Sequence, residues 1–385
     1  MAQARKKTDL HDALRLDPSL LLTATALALF GLVMVASASI AIAVEAGQGP
    51  LYYMWRHLVF LTAGVVGSIV VLHIPLSFLQ KHSVWALPIA FFLLALVFIP
   101  GFGVTRNGAT RWINLGLSNF QVSEAVKLAL IVYFAGYLVR RREQVVSLLG
   151  SIKPLIVAGL AAGLLFLQPD FGTAALLLLM AATMIWLAGA RWAHLGALSL
   201  AIAPVMAWAA MSESYRFRRL QTFLDPWADP FNNGFQLTQA LIAIGRGEVF
   251  GVGLGASVQK LYYLPEAHTD FIFSVIAEEL GLIGVVTVLV LFGLLVGRGF
   301  KVATMALARG EQFGGWLAMG ICSMLAYQTL ISVGVNLGVL PTKGLTMPLL
   351  SSGGSSVLMT CLALALVLRV AHENAVAAGP KRSGA

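Results

Sequence analysis

Asp270 stands where a polar stretch, Leu264-Pro-Glu-Ala-His-Thr-Asp270, gives way to the apolar run that begins Phe271-Ile-Phe273. A carboxylate at the mouth of a membrane helix is costly to hold partly dehydrated, so an ionisable group at that depth is a functional candidate by default. Four other acids lie within or at the ends of apolar runs: Glu124, Asp170, Glu278 and Glu279. Glu124 and Lys127 sit three apart in one expected helix, which puts them on one face as a candidate ion pair. Such a pair either neutralises itself and pins the bundle or serves a polar cavity. Asp170 follows Gln168-Pro169 at an expected tight outer turn, where it either N-caps the next helix or joins the site. Glu278 and Glu279 are adjacent and cannot both face one way, so at least one needs a partner or a water-filled cavity.

The elements that must position these groups are membrane helices. Of 385 residues 58% are apolar and 11% charged, with a mean hydropathy of +0.84. A soluble chain carries about 25% charged residues. The apolar residues come in runs of about 18 to 25, long enough to span a bilayer. Ten spans are expected, near 19–41, 57–79, 84–103, 121–139, 152–169, 171–190, 192–211, 270–297, 313–338 and 355–371. The fold class is therefore an all-α polytopic membrane protein, with a cytoplasmic segment 1–18, a transmembrane domain 19–372 and a cytoplasmic tail 373–385. The charged opening stretch Arg5-Lys-Lys7 leads into a full-length span without a convincing cleavage site, so it does not read as a signal peptide. Cys322 and Cys361 fall in apolar runs and read as small core hydrophobes.

The net charge of +9 is explained by topology rather than by nucleic acid. With the N-terminus in the cytoplasm, sixteen Lys and Arg fall on that side, nine outside and Lys127 within a span. That bias places both termini inside. The outer cations Arg111, Arg216, Arg218, Arg219, Arg246, Lys260 and Lys343 run against the bias and call for another reason. Arginine offers a planar fork suited to phosphate oxygens, so several basic groups around one carboxylate fit a lipid-linked diphosphate. Headgroup contacts or salt bridges to Asp225, Asp229 and Glu248 are the alternative for any one of them.

Two outer segments stand apart. The loop 212–269 is long, and long loops are usually functional. Within it, Phe235-Gln-Leu-Thr-Gln-Ala-Leu-Ile-Ala-Ile244 has apolar residues at helical spacing and reads as an interfacial amphipathic helix. Asp225-Pro-Trp and Asp229-Pro-Phe are turn signals. The segment 338–356, with Pro341, Gly344, Pro348 and Ser351-Ser-Gly-Gly-Ser-Ser356, is too broken for a helix and too apolar for a free loop. Irregular backbone at that depth is tolerated where it is buried or lines a cavity. The two segments are expected to close over one cavity open to the outer leaflet, with Arg246 and Lys343 pointing in near Asp270. Gly251-Val-Gly253-Leu-Gly255 lacks the spacing and the strand of a dinucleotide loop. The seven histidines show no metal-ligand spacing.

Several stretches resemble the SEDS family (shape, elongation, division and sporulation) of ten-span peptidoglycan polymerases, over nearly the whole chain. They are Arg111-Trp-Ile-Asn-Leu-Gly, Gln121-Val-Ser-Glu-Ala-Val-Lys127, Gln168-Pro-Asp-Phe-Gly-Thr173, Leu264 to Phe273 with Ala277-Glu-Glu-Leu-Gly281, and Pro341-Thr-Lys-Gly-Leu-Thr-Met-Pro348 running into Gly353-Gly-Ser-Ser356. The form Pro341-Thr-Lys-Gly-Leu-Thr346, with Gln236-Leu-Thr-Gln239 and Pro265-Glu-Ala-His268, is similar to the cell-division branch rather than the elongation branch. Two positions depart: Val122 stands where the family usually has proline, and Ser352 where it has tyrosine.

The resemblance implies a glycosyltransferase that polymerises lipid II into septal glycan, with Asp270 matching the family's essential acid. It implies substrate contacts from Arg111, Glu124, Lys127, Asp170, Arg246, His268, Glu279, Lys343 and Ser355. It also implies a cognate class B penicillin-binding transpeptidase (FtsI type), other divisome membrane proteins and residence in the inner membrane at the septum. Charge building on the leaving diphosphate needs a cation from arginine, lysine or a divalent ion, Mg2+ or Mn2+; no organic cofactor is expected. The rival readings are a lipid II flippase, an elongation-type polymerase and a non-catalytic division scaffold.

Overall fold

The apolar runs fold as helices because a bilayer offers backbone groups no partner outside the chain. A computed structural model describes residues 14–378 apart from 107, 115, 117, 195, 197–199, 201–221, 233, 262 and 342–343. In chain order come helices α1 (Pro18–Glu45), α2 (Tyr52–His73), α3 (Leu76–His82) and α4 (Ala86–Leu96), then strands β1 (Gly103–Arg106), β2 (Ala109–Asn114) and β3 (Asn119–Gln121). There follow α5 (Val122–Arg140), α6 (Arg142–Val145), α7 (Leu148–Leu167), α8 (Phe171–Leu187), α9 (Phe235–Gly247), α10 (Ile272–Ala308), α11 (Gln312–Asn336) and α12 (Gly354–Ala377). Among the described residues seven of these, α1, α2, α5, α7, α10, α11 and α12, are long and apolar enough to cross a membrane. The pair α3 and α4, bent by 68°, makes an eighth if counted as one span. The apolar α8 has 17 residues. The expected span 192–211 lies largely outside the described residues, as do residues 212–221 of the outer loop.

The bundle is centred on α5, α11 and α12. In α12 78% of the most apolar window is buried inside the protein, against 17% in α2. Lipid is as apolar as leucine, so an outward Val65, Val66 or Ile69 on α2 costs nothing there.

Two expectations from hydropathy are corrected. The spans expected at 57–79 and 84–103 are cut differently: α2 ends at His73, Pro75 leads into the separate α3, and α4 stops at Leu96. Residues 103–121 form an antiparallel sheet of order β1-β2-β3, with Trp112 opposite Gln121 and Ile113 opposite Phe120. Its β-branched and aromatic residues suit a pleated ribbon, and Asn107-Gly108 in the sequence is a strong hairpin signal. Helix α12 continues to Ala377. Its last turns are tied down: Glu373 Oε1 accepts from Leu76 N (3.0 Å), Asn374 Nδ2 donates to Val302 O (3.1 Å), and Arg309 donates to Asn374 O.

Helix α10 is discontinuous. Gly281, at φ +63° and ψ −160°, breaks it after the first turns. The freed backbone groups are taken up by residues 248–253. Val252 N donates to Glu278 O (2.9 Å) and Gly253 N to Glu279 O (3.0 Å), while Leu282 N donates to Glu248 O (2.9 Å). The contact is tight, since a Cβ on Gly281 would stand 2.4 Å from Gly251 N. The glycine-rich stretch 251–255 thus serves this splice. Both adjacent acids point into protein. Glu278 accepts from Ser257 Oγ, Val258 N (3.1 Å) and Arg246 Nη1 (3.4 Å), and Glu279 from Lys260 Nζ (2.6 Å) and Ser37 Oγ (2.7 Å). The amphipathic α9 lays Leu237, Thr238, Ala240 and Ala243 inward.

Candidate active site

One end of the bundle holds a cavity of about 940 Å³. Its walls come from Glu45 at the end of α1, Tyr53, Arg56, His57 and Phe60 on α2, Arg111, Trp112 and Gln121 on the sheet, residues 264–271 before α10, and residues 344–356 before α12. The two irregular outer segments do meet at one cavity. They are stitched together: Ser352 N donates to His268 O (2.8 Å) and Ser351 Oγ to Thr269 O (2.7 Å), while Met347 N donates to Ser351 Oγ (2.8 Å) within the second segment. The Ser352 stitch uses the backbone amide, so it does not depend on the side chain at the departing position. Val122 is the first residue of α5. The helix starts there without a proline because Gln121 belongs to β3 and its N–H is held by Ser355 Oγ (2.9 Å).

Asp270 is half-buried in the turn that precedes α10 and lines the cavity. Its backbone is fixed by Asn336, a fully buried amide at the end of α11. Asn336 Nδ2 donates to Asp270 O (3.0 Å) and Ser332 O (2.8 Å), and Oδ1 accepts from Ser274 N (3.1 Å) and Ser274 Oγ (2.7 Å). The amide therefore closes the N-terminus of α10 and orients the residue before it. The Asp270 carboxylate lies beside Gly344, where a Cβ would be 3.2 Å from Oδ2 and 3.8 Å from Arg111 Nη1.

Arg111 reaches from β2 to the turn between α7 and α8. Its Nε donates to Gln168 O (3.2 Å), its Nη2 to Pro169 O, and its Nη1 lies 3.8 Å from Asp170 Oδ1. Asp170 caps α8 by accepting from Thr173 N (3.4 Å). One level deeper, Lys127 Nζ donates to Glu124 Oε1 (2.9 Å) and to Gln328 Oε1 (2.9 Å), and Gln328 Nε2 donates to Thr346 O (2.9 Å). The ion pair thus braces the wall that Thr346 lines.

Of the residues expected at the site, Asp270, Arg111, His268 and Ser355 line the cavity. Glu124, Lys127 and Asp170 stand behind it as supports. Arg246 and Glu279 do not line it, which corrects that expectation. Each is drawn to the α10 splice, Arg246 by Glu278 and Glu279 by Lys260, because buried carboxylates next to a helix break need cations there. Lys343 lies outside the described residues. Sequence reasoning missed Glu45, Tyr53, Arg56, His57 and Asn336. The run Tyr52-Tyr53-Met-Trp-Arg56-His57, aromatic and basic at a span boundary, was the available signal for three of these; Glu45 and a lone asparagine at a helix end carry none. His268 packs its ring on Tyr53, with centroids 4.7 Å apart. Burial holds its pKa below the ordinary histidine value; the nearby Glu266 charge opposes this and the Arg56 charge adds to it.

The profile of the cell cycle protein family of FtsW, RodA and SpoVE matches residues 18–376. The chain is 52% identical over 369 residues to the probable peptidoglycan glycosyltransferase FtsW of Alkalilimnicola ehrlichii, covering 96% of this chain and 92% of that one. It is 51% identical over 360 residues to the protein of the same name from Xanthomonas oryzae, covering 93% and 73%. Among solved structures it resembles a chain from a study of how a peptidoglycan synthase complex coordinates polymerization and crosslinking, with a TM-score of 0.77, 30% identity and coverage of 94% and 99%. The rod shape determining protein RodA of Thermus thermophilus superposes with a TM-score of 0.68 at 28% identity, covering 94% and 98%.

Proposed function

The chain belongs to the cell cycle protein family of FtsW, RodA and SpoVE, and from that premise we propose that it is a division-type peptidoglycan glycosyltransferase with Asp270 as general base. The observation that carries the reading is the placement of Asp270 on an outer cavity of about 940 Å³, held from behind by Asn336. About half of all positions are shared with proteins named FtsW, against 28% with RodA, which favours the division branch over the elongation one.

The substrate is lipid II. A sugar hydroxyl of one molecule attacks the anomeric carbon of another, the new C–O bond forms as the bond to the undecaprenyl diphosphate breaks, and Asp270 takes the hydroxyl proton. A carboxylate positioned for this contributes because the hydroxyl is a poor nucleophile until its proton leaves. The leaving group is already activated, so one displacement suffices and the anomeric centre inverts. The lipid tail stays in the bilayer, since withdrawing it costs about 0.8 kcal/mol per methylene. One wall of the cavity is α2, the span least buried in the protein, and lipid access on that side would let the sugar reach Asp270 while the tail stays in the bilayer. Among the described residues no three His, Cys, Asp or Glu side chains gather as a metal site. A Mg2+ or Mn2+ ion would instead need most of its ligands from the substrate's phosphates, with at most one lining carboxylate such as Glu45 or Glu266, and would neutralise diphosphate charge.

The protein works with a cognate class B penicillin-binding transpeptidase and other divisome membrane proteins, in the inner membrane at the septum with both termini cytoplasmic. The test is Asp270→Asn, nearly isosteric but no base, reconstituted with lipid II and the transpeptidase. Chain growth is expected to vanish while folding and insertion persist. Near-normal glycan synthesis by the Asn variant removes the general-base assignment.

A further inference from the structure

The cavity carries two described arginines, and they differ in how far their charge is already engaged. Arg111 is held by two backbone carbonyls and stands 3.8 Å from the Asp170 carboxylate. Its fork is occupied and its charge balanced. Arg56, the fifth residue of α2, is exposed and makes no hydrogen bond or ion pair among the described residues. It is the one cation among the described lining residues without a carboxylate partner; Glu45, Glu266 and Asp270 supply the negative charge of the lining.

Beside Arg56 are polar atoms in want of partners. His57 is 2% exposed and lines the cavity, yet neither of its ring nitrogens has a hydrogen-bond partner. His268 is 8% exposed, lines the same cavity, and its Nδ1 is unpartnered as well. Buried polar atoms are nearly always satisfied, and those that are not ask for an explanation such as a missing ligand. Imidazole N–H groups and a free guanidinium fork share one complement, a ligand with several closely spaced anionic oxygens.

We propose that Arg56, His57 and His268 form the seat for the diphosphate of the glycosyl donor, and that Arg111 braces the wall rather than binding phosphate. The inference rests on the polymerase reading above and adds which substrate sits where. In a single displacement, base and leaving group flank one anomeric carbon, so the donor's diphosphate must lie within a few bond lengths of the general base. His268 is two residues from Asp270 on the same turn, and both side chains line the cavity. The acceptor's own diphosphate lies a disaccharide away from its reacting hydroxyl and does not meet that condition. Cations at the seat also meet the charge that grows on the leaving oxygen.

The probe is geranylgeranyl diphosphate, titrated onto the full chain in detergent, with binding followed by tryptophan fluorescence. Arg56→Gln and His57→Leu are each expected to weaken binding by about tenfold or more, the worth of one charge-assisted contact. Arg111→Gln with an unchanged melting temperature is expected to bind within about threefold of the wild type. Asp270→Asn is expected to bind as well or better, because a repelling carboxylate is gone. Wild-type binding by the Arg56 and His57 variants, loss of binding on Arg111→Gln alone, or no binding by the wild type at millimolar probe each overturns the seat. The polymerase reading fails separately: a protein that binds the probe through Arg56 but makes no glycan from lipid II keeps the seat and loses that reading.

Discussion

Breaking the buried pair of Glu124 and Lys127 one side at a time is expected to cost more than removing both. The two side chains are 5% and 2% exposed and 2.9 Å apart. Lys127→Met leaves the Glu124 carboxylate buried without its cation, and Glu124→Leu leaves an ammonium in apolar surroundings with Gln328 Oε1 as its one remaining described partner. Each single change falls in the range of about 3–5 kcal/mol for an uncompensated buried charge. The double variant strands no charge. Its main loss is the donor to Gln328 Oε1, about 1–3 kcal/mol for an unsatisfied polar atom. If the two single changes were independent, together they would cost about 6–10 kcal/mol, so the coupling is at least about 3 kcal/mol. The assay is a double-mutant cycle on reversible unfolding by dodecyl sulfate in mixed micelles. Because Gln328 holds Thr346 O, each single variant should also lower polymerisation more than the double. Additive costs, or single changes below about 1 kcal/mol, would refute the reasoning.

Asn336→Ala should lower the polymerisation rate at saturating lipid II far more than it weakens lipid II binding, because it frees the backbone of Asp270 and removes the acceptor that Ser274 Oγ and Ser274 N share; equal losses in both would argue for a general packing defect. Gly281→Ala forces a side chain into φ +63° and against Gly251 N, and should lose about 1–3 kcal/mol, read as a lower melting temperature; an unchanged value would mean the splice is loose. At the start of α1, Asp17 accepts from Arg298 Nη2 (2.6 Å) and Nε (2.9 Å) and caps the helix. Burial raises its pKa, but the Arg298 hydrogen bonds and charge and the Leu20 N–H outweigh it, and the net shift is downward. A carboxyl with a depressed folded pKa contributes stability at neutral pH that is lost as pH falls from the ordinary aspartate value towards the folded one. Asp17→Asn should therefore narrow the stability difference between neutral and acidic buffer, and an unaltered pH profile would show that the contact is not thermodynamically linked.

Long apolar runs, a charge bias and two broken segments are local or additive properties, so the membrane class, the amphipathic α9 and the place of Asp270 just before a helix were legible along the chain, and its motifs pointed to the family. What decides whether a charged group serves chemistry or structure is its partner, and partners here lie far apart in sequence. Arg246 and Glu279 have the types a substrate site wants, yet Glu278 and Lys260 claim them at the α10 splice, a break that hydropathy cannot register because both halves of the helix are equally apolar. Arg111 reads as a phosphate fork until the turn at 168–170 is folded against it. Arg56 and His57 join Asp270 at one cavity only once α1, the sheet and residues 264–271 enclose them. Asn336 gains meaning only when the end of α11 meets the start of α10. Local pattern encodes which residues avoid water. Hydrogen-bond and charge pairing between residues 19 to 66 apart in sequence depends on tertiary packing, and that packing decides which charged groups line the cavity and which brace its walls.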